Sequence, residues 1–161
     1  MIAGVVRESF PGERRVALVP DVVQTLVNKG VDVVVEAGAG LAAGFRDTEY
    51  ADRGAEMAAG RDEIFSRAGV ILQVRTHGAD PGAASDLPKL QSGQAVIGFA
   101  EPFDAGPRLQ ALAATGALLF SMELMPRITR AQSMDALSSM ATIAGSKAVL
   151  LAASELPRIF P

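Results

Sequence analysis

The chain has 161 residues, a net charge of −3, no cysteine and one histidine, with 49% of its residues apolar and 20% charged. That length suits one domain with a real core, and the composition is globular rather than disordered. It excludes disulfides, thiolate metal sites and a cysteine nucleophile, and the acidic balance without a basic stripe argues against a nucleic-acid surface.

Short apolar runs alternate with helix-like segments along the chain. "IAGVV" (2–6), "VDVVVE" (31–36), "GVILQV" (69–74), "QAVIGFA" (94–100) and "ALLFSM" (117–122) read as strands buried on both faces, as in a parallel sheet. "PDVVQTLVNKG" opens at Pro20 and stops at Gly30, in the manner of a helix. "RDTEYADRG" begins a short helix at Asp47, and "RDEIFSRAG" and "PRLQALAATG" end at Gly69 and Gly116. "THGADPGAASDLP" (76–88) reads as a turn-rich loop, and His77 within it as a solvated loop histidine. From Asp135 to about Glu155 the sequence allows one helix, capped by Asp135 with Ser138 three residues on. Its apolar side takes in Leu137, Met140, Ile143, Ala144, Ala148, Leu151 and Ala152, and Pro157 ends it. No uninterrupted apolar run reaches the roughly 18 residues of a membrane span, and the N-terminus lacks a signal-peptide layout. The pattern predicts an α/β fold: a Rossmann- or flavodoxin-like three-layer domain with a mainly parallel sheet and a long C-terminal helix.

Three stretches invite a chemical reading. "VEAGAGLAAGF" follows a strand, but its Gly38, Gly40 and Gly44 do not match G-x-G-x-x-G, and a new cap follows at once, so it reads as a structural loop. "VRESFPGERRVALVP" sets Arg7, Glu8, Glu13, Arg14 and Arg15 around a Pro-Gly turn after the first strand. That is where open α/β sheets form their crevice, so an arginine there can hold a carboxylate or phosphate, or the turn can be an internal ion-paired one. "MPRITRAQSMDALSS" carries Arg127, Arg130 and Gln132 beyond what a helix cap needs. No carboxylate pair, Ser-His-Asp set or metal cluster stands out, and no metal is expected.

"RESFPGERRVALVP", "VEAGAGLAAGFRDTEY", "MPRITRAQSMDALSSMATIAGSKAVLLAA" and "LPRIFP" resemble the N-terminal part of the alanine dehydrogenase and nicotinamide nucleotide transhydrogenase family, over essentially the whole chain. Through "RITRAQSMD" the resemblance is to the alpha subunit of proton-translocating NAD(P) transhydrogenase. It implies an oxidoreductase that transfers hydride between NAD(H) and NADP(H). NADP(H) would be bound by a partner subunit, and the chain alone would be inactive. It further implies membrane-spanning and NADP-binding partner subunits, a homodimer, and a cytoplasmic location at the inner membrane with no transmembrane segment of the chain's own. The family's site residues fall on Arg127, Gln132 and Asp135 as catalytic, with Arg127, Asp135 and Ser138 touching the cofactor. The alanine dehydrogenase branch has an arginine for the substrate carboxylate, matched by Arg15. Its lysine falls on Arg75 and its histidine near Ala100 or Glu101, which leaves amino-acid dehydrogenation without its ketone-polarising and acid/base groups. The resemblance divides the chain into an α/β domain, residues 1–134, and a connecting helix, residues 135–161, toward an NAD-binding domain that this sequence does not contain.

Overall fold

The computed structural model describes residues 1–157. They fall into two compact units, Met1–Ser121 and a second that begins at Met122.

The first unit is built on six strands: β1 (Ile2–Val5), β2 (Asp32–Glu36), β3 (Glu56–Ala58), β4 (Val70–Arg75), β5 (Ala95–Phe99) and β6 (Leu118–Ser121). All neighbours pair parallel, in the order β3-β2-β1-β4-β5-β6. That is the doubly wound order of a Rossmann fold, so the flavodoxin alternative falls away. β3 was not anticipated. It has three residues, none β-branched, and depends on its pairing with Val34–Glu36 of β2.

Helices α1 (Pro20–Val27), α2 (Asp47–Ala51), α3 (Arg61–Arg67) and α4 (Gly106–Ala114) connect the strands. Alternation along β2 sends Val33 and Val35 to one core and Val34 to the other. The first core joins Val5, Leu18, Val23 and Tyr50, and the second joins Val6, Ile64, Phe65, Ile71 and Val96. Tyr50 is fully buried and satisfies its hydroxyl by donating to the Leu18 carbonyl at 2.9 Å. Burial pushes the Tyr50 phenol up to about 12.

The segment after β4 departs from the expected loop. Residues 76–80 are all buried, and a 3₁₀ helix, Pro81–Lys89, follows. Thr76 accepts the amides of Ala79 and Asp80 and curls the chain inward. Gly78 then lies so close to the Ala100 carbonyl that a β-carbon would collide with it. His77 is thus carried inside, 8% exposed, with no hydrogen-bond partner for Nδ1 among the described residues. This corrects the solvated-histidine expectation, which took polar neighbours in sequence as a sign of exposure.

The second unit has 3₁₀ turns at Met122–Leu124 and Thr129–Met134, then α5 (Ala136–Glu155). Asp135 caps α5, and the helix ends at Leu156 before Pro157, as expected. The apolar residues of the helix are largely exposed and not confined to one side. Ile143, Val149, Leu150 and Leu151 are all exposed, three of them consecutive, so apolar residues surround the helix. By length and composition α5 is apolar enough to cross a membrane, with mean hydropathy 1.4. A count of uninterrupted apolar residues missed this, because Ser, Thr and Gly lower the average only slightly. Lys147 lies near the middle of the helix, where a charge opposes insertion.

Candidate functional site

Two polar constellations stand out, one in each unit. In the first unit, the loops after β1 and β4 emerge at the point where the strand order reverses, the usual ligand crevice of such sheets. Here they are bound to each other. The Glu8 carboxylate accepts the amides of Val74 at 2.6 Å and Arg75 at 3.0 Å, across 66 and 67 residues. Burial raises the Glu8 carboxyl despite those two amides. Ser9 donates to Asp80 at 2.6 Å.

Glu13 receives Arg15 through Nε at 2.8 Å and Nη2 at 2.6 Å, and Arg75 through Nε at 3.0 Å. The Arg15 hydrogen bonds, aided by Arg75, hold the Glu13 carboxyl down at about 2. The Arg15 fork is therefore engaged inside its own turn, which is the ion-paired reading of that stretch. Arg15 also borders, with Arg14, Val16, Val19, Ala42 and Ala43, an open depression of about 440 Å³.

The head of the Gly-rich loop is tied to the start of α2. Gly38 N–H donates to the Asp47 carboxylate at 2.9 Å, and Leu41–Ala43 form a 3₁₀ turn. Gly40 is required by packing, since a β-carbon there would lie 2.6 Å from the Tyr50 ring. These contacts fit the structural reading of its spacing.

Deeper at the same edge, α3 supplies Arg61. It donates from Nε and Nη2 to both Asp86 oxygens at 2.6 Å, and from Nη1 to the Arg7 carbonyl at 2.6 Å. The Arg61 and Asp86 side chains are 17% and 5% exposed. This network escaped sequence reasoning, because its partners lie 25 and 54 residues apart with no local pattern joining them.

In the second unit, Arg127, Gln132, Asp135 and Ser138 line one depression of about 370 Å³, with Ile128 and Thr129. The 3₁₀ turn Thr129–Met134 brings them together. Its Ala131 is buried while Gln132 faces outward, and its end delivers Asp135 to the start of α5. Asp135 Oδ1 accepts the Ser138 amide at 3.0 Å and Oδ2 accepts the Ser138 hydroxyl at 2.6 Å. These bonds, with a smaller contribution from the Arg127 charge, lower the Asp135 carboxyl. Arg127, Gln132 and Ser138 are exposed. The depression thus offers a guanidinium donor, an amide that donates and accepts, and a carboxylate with lone pairs left over. That set is complementary to a primary carboxamide, which carries one acceptor and two N–H donors. No cluster that could hold a metal occurs among the described residues.

Residues 4–144 match the family described as "Alanine dehydrogenase/PNT, N-terminal domain". The chain is 41% identical over 160 residues to the NAD(P) transhydrogenase subunit alpha of Cereibacter sphaeroides, covering 99% of this chain and 30% of that one. It is similar to a solved transhydrogenase from Sinorhizobium meliloti, with a TM-score of 0.90, 43% identity and coverage of 100% of this chain and 46% of the other. A solved L-alanine dehydrogenase matches more distantly, with a TM-score of 0.69, 28% identity and coverage of 76% of this chain and 32% of the other. The chain therefore spans less than half the length of these relatives. With the family match extending over most of its residues and the parallel order of its sheet, this chain belongs to the alanine dehydrogenase/PNT family, of which it carries the N-terminal domain.

Proposed function

We propose that the chain is the N-terminal part of a transhydrogenase alpha subunit and that its share of the hydride-transfer site is the depression of Arg127, Gln132, Asp135 and Ser138. The observation that carries this reading is the convergence of those four polar side chains on one open depression. NAD(H), when bound, supplies the hydride, and NADP(H) on a partner subunit receives it. The chain's own residues position and enclose rather than attack. Arg127 donates to the carboxamide oxygen of the nicotinamide, and Asp135 accepts from its N–H. Ser138 holds the Asp135 carboxylate through its hydroxyl and amide, and so fixes the direction of that acceptor. Gln132, outward-facing, meets the second nucleotide across the subunit boundary. α5 connects to the part of the subunit that binds most of NAD(H), and membrane-spanning partners supply the proton path. The subunit lies on the cytoplasmic side and pairs as a homodimer.

Two measurements test this. The 161-residue chain by itself binds NADH weakly, because it has no G-x-G-x-x-G and the head of its Gly-rich loop is closed by Asp47. Micromolar or tighter binding in a calorimetric titration would contradict that. In the assembled enzyme, Gln132→Asn lowers the transhydrogenation rate, on the order of a hundredfold for a displaced contact, while NADH affinity stays close to wild type. An equal fall in both would remove Gln132 from the boundary.

A further inference from the structure

The depression in the second unit is not polar all round. Among the described residues that line it, Ile128 is the one wholly apolar side chain, set beside Arg127, Thr129, Gln132, Asp135 and Ser138. It is 57% exposed, and a single exposed isoleucine on an open surface would call for no explanation. Its place inside a recess of donors and acceptors does. The backbone holds it there from both sides. Its amide donates to the Pro126 carbonyl at 3.0 Å, and its carbonyl accepts the Ala131 amide at 2.9 Å. Ala131 is itself buried and anchors the 3₁₀ turn that follows. Branching at Cβ leaves an isoleucine few rotamers, so Ile128 presents a stiff apolar surface at a fixed place.

We infer that Ile128 positions the nicotinamide ring: its side chain covers the ring face turned away from the second nucleotide and keeps water off it. The inference rests on the nicotinamide reading of the depression given above. Arg127 and Asp135 take up the carboxamide, and the ring carbons that remain have no hydrogen-bonding capacity. A polar group laid against those carbons would lose its water and gain no partner. Branched aliphatic carbon loses nothing there and excludes solvent. With Gln132 on the boundary to the second nucleotide, Ile128 takes the opposite face, and the two side chains together fix which face of the ring is open to transfer.

The assembled enzyme carrying Ile128→Ser tests this with NADH as the probe, through the fluorescence of the bound reduced nicotinamide as well as the rate. That emission lies at shorter wavelength in apolar surroundings than in water. In Ile128→Ser the emission of bound NADH moves toward that of NADH in water, and transhydrogenation slows by roughly tenfold, as for a lost apolar contact. The melting temperature stays at the wild-type value, since the side chain is largely exposed. Ile128→Val keeps a branched apolar surface and restores most of both the emission and the rate. A merely structural residue would move the melting temperature and leave the emission alone. The inference is overturned if Ile128→Ser leaves emission and rate at wild type, if a lowered melting temperature is its main effect, or if Ile128→Val falls as far as Ile128→Ser. Arg127→Ala is measured alongside. A slow Arg127→Ala beside a wild-type Ile128→Ser removes Ile128 alone, and two wild-type rates remove the nicotinamide reading with it.

Discussion

The two polar regions of the chain use similar residues for opposite ends. At the β1/β4 crevice, Glu8, Glu13, Arg15, Arg75, Arg61 and Asp86 are joined across the sheet edge by bonds as short as 2.6 Å. In the turn before α5, Arg127, Gln132 and Ser138 stand exposed around a depression, and the Asp135 carboxylate accepts from Ser138. Charge at the carboxyl edge of an α/β sheet is thus no mark of a binding site by itself. The two regions differ in how far each group has already spent its hydrogen-bonding capacity within the chain.

The comparison breaks most readily at its most buried ion pair. Arg61→Ala leaves Asp86 uncompensated inside, and it lowers the unfolding free energy by about 3 kcal/mol, in the range for breaking a buried pair. Urea denaturation of wild type and variant measures it. Arg127→Ala, in the open region, leaves the midpoint nearly unchanged, and equal losses from the two variants would erase the distinction.

A smaller effect follows from acid. Glu13 is held at about 2 in the folded chain against 4.5 for an unperturbed carboxyl. Its contribution to stability is therefore present above pH 4.5 and is lost as pH falls from there toward 2. Glu8 is raised, so it works the other way: its contribution is present at low pH and is lost as pH rises through its folded value. Melting temperatures between pH 6 and 2 fall less steeply for Glu13→Gln than for wild type. Parallel curves would mean that the Arg15 and Arg75 hydrogen bonds do not hold the carboxylate as the geometry requires.

Much of this division could be read in the sequence, though unevenly. The long strands announced themselves through β-branched runs, and Asp135 with Ser138 through cap spacing, because both signals are local. The choice between Rossmann and flavodoxin order was not legible, since it depends on β3, three residues whose strand state comes from pairing with β2. His77 was misplaced because its burial comes from the closeness of Gly78 to Ala100, 22 residues further on. The hold of Glu13 on Arg75 and of Glu8 on β4 spans more than 60 residues and leaves no periodic trace. In α5, exposed Val149 and Leu150 extend the apolar surface beyond the one side read from the sequence.

The smallest structural effect is expected at Asp135, which both caps α5 and faces the depression. The measurement that bears most directly on the central claim is the transhydrogenation rate of the assembled enzyme carrying Asp135→Ser, set beside its melting temperature and those of wild type and Asp135→Ala. Serine caps a helix about as well as aspartate but is shorter and uncharged. The account predicts a melting temperature close to wild type for Asp135→Ser, a slightly lower one for Asp135→Ala, and a reduced rate for both. A rate restored together with stability in Asp135→Ser would make Asp135 a helix cap alone, and would remove the depression's carboxylate from hydride transfer.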